Sequence, residues 1–149
     1  MPALYYPGMS ESRRLAHIER IAIRWGDMDA MGHVNNTVYF RYMEQARISW
    51  FDRLVPEAEA WHSTGIVIAN ASCNYKRAIT YPGEVEVRLY VGAPGGASVT
   101  TSYELRVDDD PVPYADGVAT VVFIDMGSQR SKRIPEEIRA RLERAEAAA

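Results

Sequence analysis

The sequence predicts an α+β fold in which one antiparallel sheet of five strands wraps around a single long helix. Two observations support this prediction. One long helical pattern follows the first strand-like segment, and four further strand-like segments then succeed one another with only turns between them. Because the strand–helix–strand alternation does not repeat along the chain, a doubly wound parallel sheet is excluded.

The chain of 149 residues is expected to form one domain with a substantial core. Residues 1–16 combine Pro2, Pro7, Gly8 and charged residues without periodicity, which predicts a flexible N-terminal arm. Residues 17–149 then form the domain. Its first strand is expected over Ile18–Trp25, where apolar and polar side chains alternate.

A long helix is predicted from about Asn36 to Leu54, with Asn35 or Asn36 as its N-cap. Apolar residues recur there every three or four positions and form one continuous stripe. The residues of the stripe are Tyr39, Tyr42, Met43, Ala46, Trp50 and Leu54. Such a stripe requires a broad apolar surface, which the predicted sheet provides.

The remaining strands are separated by turns rich in proline and glycine. They are predicted over Gly65–Ala78, Glu84–Val91, Ala97–Val107 and Ala115–Ile124. The small residues Ala69, Ala71 and Ser72 indicate that the helix lies close to the first of these strands. The last strand is the most apolar, which is typical of a central strand with neighbours on both sides. Pro135 at a first helical position predicts a short C-terminal helix.

Composition excludes several classes of function. A net charge of −3 argues against nucleic acid as a partner. The single cysteine, Cys73, and three scattered histidines offer neither a disulfide framework nor a metal site. The N-terminus lacks the pattern of a signal peptide, and no apolar run approaches ~18 residues. We therefore expect a cytoplasmic protein with no membrane span, no metal and no cofactor.

The densest group of reactive side chains lies between the first strand and the long helix, where residues 24–36 read R-W-G-D-M-D-A-M-G-H-V-N-N. The first N–H groups of a helix are unsatisfied donors with partial positive charge, so they can stabilise an oxyanion. A carboxylate a few residues earlier can lie beside the carbon that those donors activate. This combination suits acyl transfer or hydrolysis.

This segment and the helix pattern Y-x-x-Y-x-E-x-A-R that follows it resemble the hot-dog-fold acyl-CoA thioesterases, in the 4-hydroxybenzoyl-CoA thioesterase-like branch. The resemblance covers roughly residues 18–138. It implies the hot-dog fold and a homodimer or homotetramer. It also implies hydrolysis of an acyl-CoA to a free carboxylic acid and coenzyme A, with an aspartate as nucleophile or general base.

Four residues are assigned to the catalytic site, and the resemblance implies the roles of two of them. Asp29 matches the family's catalytic carboxylate, and the backbone N–H of Asn36 matches the donor that polarises the thioester carbonyl. Gly32 leaves room for that carbonyl to approach the backbone, or is simply a loop glycine with positive φ. His33 is expected to orient Asp29 or the loop, with direct proton transfer as the alternative. For Asp29 itself, the alternative is a loop aspartate that bonds its own backbone.

Two further carboxylates are weaker candidates. Asp27 is expected to hold the loop in position rather than to react. Glu44 is a second choice for the catalytic carboxylate, because some hot-dog branches place theirs on the long helix. The alternatives for Glu44 are an ion pair with Arg41 or Arg47 on the solvated side of the helix, or a buried contact across a subunit boundary.

Basic residues are candidates for binding the phosphates of coenzyme A. We assign Lys76, Arg77 and Arg130 to substrate binding, with a solvated surface as the alternative for each. Tyr39 is assigned to the walls of the acyl site, although it is equally suited to the core.

Other functions are kept as alternatives. A thioesterase acting on acyl carrier protein would use the same chemistry, and a non-catalytic acyl-CoA-binding protein would use the same fold. A hot-dog hydratase is disfavoured, because the D-x-N-P-x-H pattern typical of that class is absent.

Overall fold

The computed structural model describes residues 13–144, which contain five strands and two α-helices. In chain order these are β1 (Arg14–Ala22), α1 (Asn36–Leu54), β2 (Thr64–Tyr75), β3 (Glu84–Val91), β4 (Ser98–Val107), β5 (Ala115–Asp125) and α2 (Glu136–Glu143). A 3-10 turn over Trp25–Asp27 lies between β1 and α1. Strand β1 begins at Arg14, so residues 14–16, which were predicted to belong to the N-terminal arm, are part of this strand. Residues 1–12 of that arm lie outside the described residues.

The five strands form one sheet in the order β1-β3-β4-β5-β2, and every neighbouring pair is antiparallel. The predicted fold class is therefore confirmed, and the arrangement is the hot-dog fold. Strand β5 lies between β4 and β2, in agreement with its expected interior position. Strands β1 and β2 form the two edges.

Helix α1 has the bounds that the sequence predicted, and every residue of the predicted stripe is buried. The helix packs chiefly over β1 and β3. On β5 its approach is close at Gly117, where an added Cβ would lie 2.5 Å from the sulfur of Met43. A glycine at this position therefore sets the spacing between helix and sheet.

Strand β2 differs from the expectation. Its small residues were predicted to let the helix approach closely, but residues 67–71 are exposed and contact with α1 is slight. The cause is the sheet order, which places β2 at an edge beyond the helix. The strand also ends at Tyr75, three residues earlier than predicted.

Helix α2 begins after Pro135, which is its N-cap rather than its first helical residue. Ile138 and Leu142 bury its inner side, and Arg141 donates to the carbonyl oxygen of Leu54 over 2.9 Å, which joins α2 to the end of α1. Neither α-helix in the described part of the chain is long and apolar enough to cross a membrane.

Candidate active site

The loop between β1 and α1 is fastened at both ends to the segment that precedes β3. The N–H of Ile23 donates to the carbonyl of Gly83, and the N–H of Val34 donates to the carbonyl of Ile79, each over 2.8 Å. These two bonds hold residues 24–33 as a defined loop at the N-terminus of α1.

Asp27 joins this loop to the helix. Its Oδ2 accepts hydrogen bonds from the Tyr42 hydroxyl at 2.8 Å and from the Arg24 N–H at 2.9 Å. Its side chain is only 11% exposed. Burial, followed by the bond to Asp27, raises the pKa of Tyr42, so that hydroxyl remains a donor at neutral pH. The geometry agrees with a positioning role for Asp27.

The carboxylate of Asp29 is exposed and held by two donors. Oδ1 accepts from the N–H of Met31 at 2.9 Å, and Oδ2 accepts from the side-chain amide of Asn35 at 3.0 Å. The first bond is the local turn expected of any loop aspartate. The second bond joins Asp29 to Asn35, the N-cap residue of α1. Asp29 is therefore oriented toward the helix terminus while its carboxylate stays accessible.

Asn35 is the N-cap of α1, and its contacts determine which helix donor stays free. Its Oδ1 accepts from the N–H of Thr37 at 2.9 Å, and its carbonyl accepts from the N–H of Val38 at 2.9 Å. Within residues 13–144 the N–H of Asn36 has no acceptor. The cap thus leaves the Asn36 donor available for a ligand.

Gly32 and His33 complete the turn between Asp29 and the cap. Gly32 has φ +78°, which agrees with the interpretation that the loop requires positive φ. Its N–H donates to the Asp29 carbonyl, and the His33 carbonyl accepts from the Asp29 N–H. The imidazole of His33 is exposed and has no hydrogen-bond partner in the described part of the chain.

A cavity of about 290 Å³ opens beside the first turn of α1. It is lined by His33, Val34, Asn36, Tyr39, Tyr75, Lys76, Arg77 and Ala78. Five of the predicted site residues therefore meet at one place. Asp29 and Gly32 do not line this cavity. Asp29 is joined to its lining by the bond from its N–H to the His33 carbonyl, and its side chain bonds to Asn35, the residue before Asn36.

The two cations that line the cavity are already paired. The Nζ of Lys76 lies 2.7 Å from a carboxylate oxygen of Asp116. The guanidinium of Arg77 donates to Asp110 at 2.9 Å and to the Tyr114 hydroxyl at 3.1 Å. Both side chains stay partly exposed, so each can still bind a second anion.

Tyr39 is buried, and its hydroxyl donates to the carbonyl of Arg77 over 3.3 Å. Burial raises its pKa. The ring therefore belongs to the core and also forms part of the cavity wall.

Arg130 and Glu44 do not line the cavity. Arg130 belongs to a turn after β5, near Asp125, which pairs with the first residue of β2. The cavity lies at the other end of the 12-residue strand β2, which is roughly 36 Å away at ~3.3 Å per residue. Glu44 accepts from Arg41 over 2.9 Å on the exposed face of α1. One chain alone brings neither residue to the cavity.

Two features of the site were not predicted. Tyr75 lines the cavity and its hydroxyl reaches α1, and the side chain of Asn35 contacts Asp29 as well as the helix. The N-cap role was visible in the sequence, whereas the contact across the loop depends on the fold of the turn. Across residues 13–144, no cluster of three or more His, Cys, Asp or Glu side chains could hold a metal ion.

Comparison with known proteins gives the family. Residues 23–142 match the model of the thioesterase-like superfamily. Long-chain acyl-CoA thioesterase FadM of Escherichia coli (strain K12) is 26% identical over 127 residues, which cover 83% of this chain and 95% of FadM. The YsmA protein of Bacillus subtilis (strain 168) is 32% identical over 84 residues, and the chain spans only 56% of its length.

Solved structures show the same fold. The PA2801 protein of Pseudomonas aeruginosa is 38% identical, with a TM-score of 0.77 and coverage of 85% of this chain and 98% of that one. A thioesterase from Thermus thermophilus, crystallised with coenzyme A and zinc, is 32% identical with a TM-score of 0.73, over 84% and 95% of the two chains. With a match over residues 23–142, the chain belongs to the thioesterase-like superfamily.

Proposed function

We propose that the protein hydrolyses an acyl-CoA to a free carboxylic acid and coenzyme A. The observation that carries this proposal is the arrangement around Asn35. Its side chain holds the exposed Asp29 carboxylate, and the next residue, Asn36, lines a cavity and has an N–H without an acceptor in the described part of the chain. The names of FadM and of the coenzyme A complex from Thermus thermophilus support this class of substrate.

In the proposed reaction, the thioester carbonyl oxygen accepts a hydrogen bond from the N–H of Asn36. This bond strengthens as negative charge develops on that oxygen, and a donor of this kind contributes ~3 kcal/mol to the transition state. A carboxylate oxygen of Asp29 then attacks the carbonyl carbon. The C–S bond breaks, coenzyme A leaves as the thiolate, and water hydrolyses the resulting mixed anhydride.

The alternative use of Asp29 is as a general base. The carboxylate then removes a proton from water, and the hydroxide attacks the same carbon. Both routes use the same electrophile and the same leaving group. Gly32 contributes by allowing the turn that brings Asp29 back toward the cap, and His33 contributes a polar wall of the cavity.

The cavity is proposed to hold the part of the substrate next to the thioester. Lys76 and Arg77 give its rim positive charge, which suits the phosphates of coenzyme A. Tyr39 forms an apolar wall beside them. The acidic partners Asp116 and Asp110 already neutralise part of this charge, so we expect the two cations to contribute modestly to affinity.

We further propose a homodimer, or a tetramer built from such dimers, joined through the free edge of β2. Val67 and Ile68 are exposed there, and an unpaired strand edge favours pairing with a second copy. Two-fold pairing of β2 with β2 is antiparallel, so the start of one strand lies beside the end of the other. Arg130 of the partner subunit would then approach the cavity.

A cytoplasmic location is part of the same proposal, because the free thiol of Cys73 and an acyl-CoA substrate both fit a reducing cellular compartment.

The test is a panel of short-chain, long-chain and aromatic acyl-CoAs, with released thiol detected by a disulfide reagent. We expect turnover of at least one class, and loss of nearly all of it in the Asp29→Asn variant. Turnover of acyl carrier protein thioesters alone would favour the carrier-protein alternative. Binding of acyl-CoA without thiol release would favour the non-catalytic one.

A further inference from the structure

The last residue of β2 is bonded to the first residue of α1. The hydroxyl of Tyr75 donates to the carbonyl oxygen of Asn36 over 2.9 Å. Its ring contacts Tyr39 edge-on, with centroids 4.9 Å apart and planes at 75°, and it forms part of the cavity wall. The ring is therefore held by Tyr39 while the hydroxyl reaches the helix terminus.

This bond matters because helix ends fray. The first turn of α1 is stabilised from the loop side by the Asn35 cap, which satisfies Thr37 and Val38. Nothing in residues 13–144 restrains the Asn36 N–H itself. The direction of that N–H consequently depends on how firmly the rest of the residue is held, and Tyr75 is the group outside the helix that holds its carbonyl.

We propose that Tyr75 is a positioning residue for the electrophile, acting through its hydroxyl bond to Asn36. The bond fixes the first helical residue so that its N–H is directed at the thioester oxygen. This inference rests on the proposed function. It also connects the edge of β2, where a second copy is proposed to pair, to the group that polarises the substrate.

The experiment compares Tyr75→Phe with Tyr81→Phe. The first change keeps the ring on Tyr39 and removes only the hydroxyl. The control residue is similarly exposed, 45% against 44%, and its hydroxyl has no hydrogen-bond partner in the described residues. We expect Tyr75→Phe to lower kcat roughly fivefold, with KM within about twofold and a melting temperature within a few degrees of the unchanged protein. Tyr81→Phe should match the unchanged protein.

A second readout does not depend on activity. Amide ¹⁵N relaxation should show larger-amplitude motion at residues 36–38 in Tyr75→Phe and no change in Tyr81→Phe. An unchanged kcat, or unchanged relaxation, would overturn the inference. A rise in KM with constant kcat would also overturn it and would make Tyr75 a substrate contact. If the unchanged protein hydrolyses no thioester, the proposed function fails, while the relaxation result still decides the positioning claim.

Discussion

Asn35 holds the Asp29 carboxylate with one end of its side chain and caps α1 with the other. The Nδ2 group donates to Asp29 over 3.0 Å, and Oδ1 accepts from the Thr37 N–H over 2.9 Å. One amide therefore sets the position of the carboxylate relative to the helix terminus. The two functions can be separated by substitution.

Asn35→Asp should keep the cap and lose the contact with Asp29. Aspartate caps a helix as well as asparagine does, but it has no donor and places a second negative charge beside Asp29. We expect a melting temperature within a few degrees of the unchanged protein and a fall in kcat of at least roughly tenfold. Asn35→Ala is the control that loses the cap as well. Full activity in Asn35→Asp would show that the contact is incidental.

Asp29→Asn should fold normally and lose nearly all hydrolysis, because the substitution preserves shape and removes the reacting charge. If the variant retained more than about a tenth of kcat, Asp29 would lower the activation free energy by at most ~1.4 kcal/mol. Glu44 would then become the candidate for the catalytic carboxylate. The measurements are kcat and the melting temperature.

Asp27→Asn is the matched comparison for Asp29→Asn. It replaces a partly buried carboxylate that accepts hydrogen bonds from Tyr42 and Arg24. We expect a loss of stability on the order of 1 kcal/mol and a smaller loss of activity. Equal losses of kcat at both positions would mean that activity depends on the conformation of the loop and that Asp29 has no separate catalytic role.

Hydrolysis should not require a metal ion. Residues 13–144 contain no cluster of side chains suited to a catalytic zinc, although zinc is present in the related structure from Thermus thermophilus. Activity after EDTA treatment and gel filtration should equal that of the untreated protein. Loss of activity that one divalent ion restores would contradict the carboxylate mechanism.

Val67→Lys should weaken assembly through β2. The side chain is 45% exposed on an edge strand, and charged residues on such edges oppose pairing. Analytical ultracentrifugation at micromolar concentration should show a shift toward monomer, with a parallel loss of activity. The control is Ala22→Lys on β1, the opposite edge strand, where the side chain is also exposed. A fully active monomer would show that the site is complete within one chain.

Gly117→Ala should destabilise the protein. The new Cβ would lie 2.5 Å from the Met43 sulfur and 2.9 Å from the Ser72 carbonyl oxygen, so helix or strand must move. Overpacking of this kind costs about 1–3 kcal/mol, measured by urea unfolding. Gly96→Ala, where the added Cβ meets no atom within 4 Å, is the control. Equal stability of the two variants would contradict the described packing.

Features that depend on neighbouring residues could be predicted from the sequence alone. The bounds of α1 followed from a capping asparagine and a continuous apolar stripe, both of which act within a few turns of the chain. Strand β3 was predicted with its observed bounds because alternation and the flanking proline and glycine are equally local. The loop with Asp29, Gly32 and the helix terminus was likewise visible, since its chemistry lies within one short segment.

Features that depend on partners remote in the chain emerged only in the folded structure. Among the strands of residues 13–144, β2 pairs with β5 alone and is therefore an edge strand, which its composition did not reveal. Arg47 was considered for a solvated ion pair with Glu44, yet it is buried and donates to the Tyr103 hydroxyl over 3.1 Å. The contact of Tyr75 with Asn36 joins residues 39 positions apart. Such contacts follow from strand order and helix placement, which local patterns do not specify.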